Sequence, residues 1–162
     1  MPADSAIVID VARQRLVLWR DARPVLDVAV STAVQGVGEQ RDSGCTPRGL
    51  HRVRAKVGAG CPEGAVFVGR RPTGELWSQA LATAQPARDW ILTRILWLDG
   101  CEPGRNRGGA VDTLRRCIYI HGCPDSEPMG VPLSHGCVRM RNAELCALFD
   151  AVAVGTPVRI EG

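Results

Sequence analysis

Short apolar runs divided by turn residues fill the first part of the chain. Residues 6–11 (AIVIDV), 15–19 (RLVLW) and 24–30 (PVLDVAV) follow one another closely, and Asp21-Ala22 turns the chain between the last two. Runs of this length, rich in β-branched residues, predict a strand meander. Residues 50–57 (LHRVRAKV) alternate apolar and basic positions, which predicts a half-buried strand with one wet face. His51 falls on that strand and reads as a surface residue. Residues 66–68 and 91–98 (ILTRILWL) are further strand candidates, and 117–120 (CIYI) is a short apolar run leading directly into His121.

Near the C-terminus the period changes. Leu145, Leu148, Phe149 and Val152 recur at i, i+3, i+4 and i+7, the single apolar stripe of a helix. Asn142 reads as its N-cap, Glu144 sits in its first turn, and Gly155-Thr156-Pro157 stops it before a last strand at 158–160. Of the connecting segments, 35–49 is rich in Gly, Ser and Pro. Residues 100–109 (GCEPGRNRGG) carry closely spaced turn signals, so this loop is expected to be mobile and to serve as a lid. Residues 122–132 hold three prolines and two glycines and are expected to form an ordered loop. Many strands with one clear helix predict a mainly β fold, a β-sandwich or barrel-like body with the helix on one side.

The length of 162 residues suits one domain spanning 1–162, and 45% hydrophobic residues suffice for its core without disulfide staples. A formal net charge of +3, with no basic run interleaved with aromatics, argues against nucleic acid as a partner. No apolar run is long enough to span a bilayer, so membrane insertion is not expected. The start, Met1-Pro2-Ala3-Asp4-Ser5, lacks the features of a secretory signal. Seven scattered cysteines, an odd number, suit a reducing compartment. Both observations lead to an expected cytoplasmic location, with a periplasmic one as the alternative if the N-terminus is truncated.

The chemistry lies in two triplets, His121-Gly122-Cys123 and His135-Gly136-Cys137, the second embedded in Ser134-His135-Gly136-Cys137-Val138-Arg139-Met140. A thiol of ordinary pKa is mostly protonated at neutral pH and needs a base nearby to become a nucleophile. His121 ends a short apolar run, and a Pro- and Gly-rich loop returns the chain to Cys137 sixteen residues later. Gly136 gives the backbone conformational freedom, and the N–H groups of Gly136 and Cys137 are candidate donors to an oxyanion. Arg139 would bind a substrate carboxylate or order the loop. The same residues also permit a zinc site: His121, Cys123, His135 and Cys137 are two nitrogen and two sulfur ligands, although one residue between ligands is fewer than usual. The remaining cysteines read as small buried hydrophobes.

His121-Gly122 followed by Ser134-His135-Gly136-Cys137-Val138-Arg139 resembles the signature of the L,D-transpeptidase catalytic domain, also called the YkuD domain. Thr46-Pro47-Arg48-Gly49 is similar to an upstream element of that family, and a helix running to Asp150 matches the helix that follows its motif. The resemblance implies a cysteine acyl-enzyme acting on the amide between a diamino acid and a terminal D-alanine in peptidoglycan stem tetrapeptides, with no metal and no cofactor. It assigns Cys137 as nucleophile and His121 as base. Gly122 would orient His121 through its backbone, while Ser134, His135 and Gly136 shape the nucleophile loop. It also implies that carbapenem-type inhibitors acylate Cys137. Relatives carry a hydroxyl residue at the position of Cys123; a hydroxyl-for-thiol swap without consequence is the favoured reading, and an oxidative Cys123–Cys137 switch is the alternative.

Hydrolysis of the thioester would make an L,D-carboxypeptidase that trims soluble muropeptides during recycling. Attack by an amine from a second stem peptide would make a cross-linking transpeptidase of the cell envelope. The location expected above favours the carboxypeptidase. A non-catalytic peptidoglycan-fragment binder is the alternative of another class. Arg94, an Arg among apolar neighbours, is a candidate for a substrate carboxylate, and Glu127 for the substrate's free amine.

Overall fold

A computed structural model describes residues 4–162. In chain order the strands are β1 (Ser5–Asp10), β2 (Arg15–Arg20), β3 (Arg23–Ala29), β4 (Gly49–Val57), β5 (Ala65–Val68) and β6 (Arg71–Leu76). The helix α1 (Gln79–Ala84) precedes β7 (Ile91–Gly100), β8 (Tyr119–Gly122) and β9 (Val138–Met140). The helix α2 (Asn142–Ala151) and β10 (Pro157–Glu161) close the chain. All ten strands belong to one curled sheet in the order β3-β2-β1-β10-β4-β7-β5-β6, with β8 added on β7 and β9 on β8. The mainly β, barrel-like architecture expected from the patterning is therefore present. Among the described residues no helix is long and apolar enough to cross a membrane.

The core fills the concave side of the sheet. Ile7, Ile9, Leu16, Leu18, Val53, Leu96, Leu98, Ile120, Val138 and Met140 pack against Leu145, Leu148 and Phe149 of α2. Leu145 and Leu148 are fully buried, and each contributes about 1.5–3 kcal/mol through loss of water contact. β8 and β9 run parallel. Parallel neighbours need a crossover of about a dozen residues or more, which is why a long loop separates the two His-Gly-Cys triplets.

Several local expectations are corrected. β6 and α1 escape the patterning because RPTGEL holds Gly and Pro and α1 buries no residue; Ser78 caps α1 by accepting from the Leu81 N–H at 3.1 Å. The N-cap of α2 is Arg141, and Asn142 is the first helical residue with its side chain turned inward. His51 is buried, not on the surface, because strand alternation puts it on the face of buried Val53 while Leu50 and Arg52 point out. Its Nδ1 donates to the Gly49 carbonyl (3.1 Å) and its Nε2 accepts from the Thr113 hydroxyl (2.9 Å). Residues 100–109 are tied down. Asn106 is fully buried, and its Nδ2 donates to the Arg48 and Leu50 carbonyls at 3.0 Å, which pins the loop to β4.

Candidate active site

Strand alternation sorts the motif residues onto two faces. On the parallel β8–β9 pair Ile120 lies opposite Val138, His121 opposite Arg139 and Gly122 opposite Met140. Ile120, Val138 and Met140 point into the core against α2. Tyr119, His121, Cys137 and Arg139 take the other face, by the two-residue period of a strand. There they line one cleft of about 300 Å³, whose walls include Asp89, Ile91, Arg116, Ser134 and His135.

The loop carrying Cys137 is closed on itself and braced from outside. The Ser134 hydroxyl donates to the Cys137 carbonyl and accepts from the Gly136 N–H (3.3 Å). That bond engages the Gly136 N–H, which corrects its expected availability to an oxyanion. Gly136 has φ +129°, and a Cβ there would meet the Cys45 carbonyl oxygen at 3.3 Å and Ile118 Cδ1 at 3.4 Å. The backbone angle favours glycine, and the space beside it is tight. Residues 31–34 zip onto the loop: Ser31 and Arg139 exchange two backbone bonds of 2.9 Å, and the Val34 N–H donates to the Ser134 carbonyl at 3.0 Å. The Thr46 hydroxyl donates to the Gly136 carbonyl at 3.0 Å, giving the Thr-Pro-Arg-Gly element a mechanical role.

His121 is buried, and its Nδ1 lies 2.7 Å from the Gly122 carbonyl oxygen. A carbonyl only accepts, so Nδ1 carries the hydrogen and Nε2 keeps its lone pair. Burial lowers the His121 pKa, against the Gly122 hydrogen bond and the Asp89 carboxylate, so the imidazole rests neutral. Half-buried Cys137 donates to the Cys117 carbonyl at 3.4 Å, and its sulfur accepts from the Tyr119 N–H at 3.3 Å. Burial pushes its thiol up to about 12, although the Tyr119 N–H favours the thiolate. The resting pair is thus thiol and neutral imidazole. This state suits removal of the S–H proton as the sulfur attacks, rather than a stored ion pair.

Gly122 is itself fixed from behind. A side chain there would run into Asn142 Oδ1 and the Leu92 carbonyl. Thr93, buried with φ +77°, donates from Oγ1 to Asn142 Oδ1 at 2.6 Å, and Asn142 Nδ2 donates to the Cys123 carbonyl at 2.9 Å. A β-branched residue at that φ is strained, and such strain persists where the surroundings over-determine it.

Asp89, a lone acid in Arg88-Asp89-Trp90, carries no signal in sequence yet stands in the cleft. Its Oδ1 accepts from Arg139 Nη2 at 3.0 Å, and its Oδ2 lies 3.7 Å from His135 Nδ1. Arg139 is therefore neutralised, and its side chain is only 11% exposed. His135 points largely to solvent with 71% of its side chain exposed. Glu127 lines an adjoining hollow of about 200 Å³ that shares Asp89, His135 and Arg139 with the cleft. Arg94 is a correction. It has the strand parity of Leu96 and Leu98, and its guanidinium lies 5.5 Å from the Phe149 ring of α2 while donating to the Cys61 and Thr93 carbonyls. Ile95 and Trp97, of the opposite parity, face the Cys137 side.

Cys123 is buried with its sulfur 3.8 Å from the Met140 carbonyl oxygen. In the β8–β9 register Tyr119 falls opposite Cys137, so Cys123 lies four residues further along the chain direction, roughly 13 Å at strand rise and beyond the Cα reach of a disulfide. The Cys123–Cys137 switch is overturned by that distance. The zinc arrangement also fails in space, since Cys123 lies outside the cleft that holds His121 and Cys137, and His135 is 71% exposed. Among the described residues no group of three or more His, Cys, Asp or Glu is placed to hold an ion.

A family model described as the L,D-transpeptidase catalytic domain (YkuD) matches residues 4–160. Probable L,D-transpeptidase YbiS of Escherichia coli (strain K12) is 44% identical over 46 residues, covering 28% of this chain and 15% of that protein. Probable L,D-transpeptidase ErfK/SrfK of Salmonella typhimurium is 28% identical over 102 residues, covering 56% of this chain and 33% of that protein. The match thus spans well under two thirds of either relative. The crystal structure of L,D-transpeptidase 3 from Mycobacterium tuberculosis, in complex with a faropenem-derived adduct, superposes with a TM-score of 0.60 at 16% identity. That superposition covers 99% of this chain and 61% of the other, and it shares the fold.

Proposed function

The chain belongs to the L,D-transpeptidase catalytic-domain family, and from that premise we propose that it removes the terminal D-alanine from peptidoglycan stem tetrapeptides as a cysteine-dependent L,D-carboxypeptidase. The observation that carries this reading is the shared cleft of Cys137 and His121, with His121 Nδ1 anchored on Gly122 so that Nε2 is the basic atom. Cys137 attacks the carbonyl between the diamino acid and D-alanine. His121 takes the thiol proton and returns it to the departing amine. Water then attacks the thioester as His121 accepts its proton; the C–S bond breaks, His121 returns the proton to the Cys137 sulfur, and the tripeptide leaves. Ser134, Gly136 and Thr46 hold the nucleophile in place, and Cys137's own N–H is the remaining candidate donor to the oxyanion. Arg139, tied to Asp89, orders the cleft wall together with His135.

Two observations favour water as acceptor. A hollow of about 300 Å³ is at the small end of ligand sites and suits one peptide terminus. Seven free thiols suit a reducing compartment, where soluble muropeptides would be the substrates. Cross-linking is the second reading, favoured by the adjoining hollow at Glu127, which shares Asp89, His135 and Arg139 with the Cys137 cleft and offers room for an acceptor amine. Incubation with a stem tetrapeptide, alone and with a second stem, followed by mass spectrometry, separates the two. Loss of one alanine is expected; a joined dimer would replace hydrolysis by cross-linking. A carbapenem is expected to acylate Cys137, and a folded protein that takes up no label would favour the non-catalytic binder.

A further inference from the structure

We propose that Arg116 forms the subsite for the substrate's terminal carboxylate, so that the enzyme reads a free C-terminus through a cation in the Cys137 cleft. The assignment rests on the proposed cleavage at Cys137 and names the group that selects its substrate.

The cations around the cleft differ in how they are compensated. Arg139 is held by Asp89 at 3.0 Å and Arg88 by Glu75 at 2.8 Å. Arg70 donates to the Tyr119 hydroxyl at 2.9 Å and lies over the Trp97 ring. Arg116 lines the cleft itself, and its hydrogen bonds go only to neutral acceptors: the Gly38 carbonyl (3.2 Å), the Cys45 carbonyl (2.6 Å) and the Ser43 hydroxyl (3.5 Å). Among the described residues no carboxylate pairs with it. Of the two carboxylates whose field reaches it, Glu39 is engaged by Arg48 at 3.0 Å and Asp42 lies 3.9 Å from Arg41. Those three bonds aim the guanidinium without cancelling its charge, and a guanidinium has five N–H groups to offer.

Position agrees with this role. Arg116 Nη2 lies 4.0 Å from where a Cβ on Gly136 would stand, beside the residue that precedes the nucleophile. The carboxylate of a terminal residue sits within about one residue length, roughly 3.8 Å, of the bond being cut. A cation next to the nucleophile loop therefore meets the leaving D-alanine, and the Asp89–Arg139 end of the cleft is left for the diamino acid. Burial also pulls the Arg116 pKa down, the mark of a cation whose desolvation an anionic ligand would offset. Arg139, already neutralised, is the poorer candidate despite its place in the motif.

The test compares the tetrapeptide ending in D-alanine with the same peptide ending in D-alaninamide, following release by mass spectrometry. Wild type is expected to prefer the acid by about tenfold or more in kcat/KM. Arg116→Gln should lose that preference by slowing the acid far more than the amide, and Arg116→Lys should keep part of it. Equal cleavage of acid and amide by wild type would overturn the subsite and leave the proposed function standing. Arg116→Gln that retained the preference would overturn it as well. If wild type released nothing from either peptide, the proposed function would fail and the subsite with it.

Discussion

His121 and Gly122, neighbours on β8, are joined by a 2.7 Å hydrogen bond from the imidazole Nδ1 to the glycine's own carbonyl. One short contact fixes tautomer and ring plane together, and it leaves Nε2 as the only basic nitrogen. Replacing His121 by Ala is expected to lower alanine release by about 10²- to 10⁴-fold, as for loss of a general base. Circular dichroism should show the fold retained.

The protonation states set the pH profile. His121 acts as base only when neutral, and its pKa is lowered from 6.5, so the acid limb of kcat/KM should fall below the ordinary imidazole range. Cys137 titrates near 12, so its alkylation by iodoacetamide should be slow at neutral pH and still rising above pH 9. A rate that is flat from pH 5 to 9 would indicate a preformed thiolate and contradict the neutral pair.

Asn142 links Thr93, Gly122 and Cys123 behind the base. Asn142→Ala strands a buried hydroxyl and a buried carbonyl, each costing about 1–3 kcal/mol. Urea unfolding should show that loss, and alanine release should fall with it because the chain just past Gly122 loses its anchor at the Cys123 carbonyl. An equally stable and active variant would remove Asn142 from this role.

Asp89→Asn releases Arg139. The carboxylate is 48% exposed, so the pair adds under about 1 kcal/mol and the melting temperature should barely move. The catalytic effect should be larger, roughly tenfold in kcat/KM, equivalent to about 1.4 kcal/mol. A parallel fall in both would mean that Asp89 serves stability alone.

His51 makes stability depend on acid. Its pKa is lowered from 6.5 to about 4 by burial, so the folded state refuses a proton that the unfolded state takes. Stability is therefore full above pH 6.5 and declines as the pH falls towards 4, by up to about 3 kcal/mol at 1.36 kcal/mol per unit. His121 acts in the same direction. His51→Gln should start less stable but show a shallower decline, read from unfolding at pH 7, 5.5 and 4.

The chain itself encodes the elements and the reactive pair. Periodicity alone locates the meander, the strands at 50–57 and 91–98, and the stripe of α2, because these depend on neighbours a few residues apart. The doubled His-Gly-Cys marks Cys137 and His121 for the same local reason. What no local pattern contains is the facing of residues brought together by pairing. Asp89 meets Arg139 across fifty positions, and Arg116 meets the loop before Cys137 through the carbonyls of Gly38 and Cys45. His51 turns inward with Val53, and Arg94 turns away from the cleft with Leu96, because strand parity is set by which neighbour each edge finds. Chemistry was written in residue type and spacing; which charges stand free in the cleft was decided only when the sheet closed.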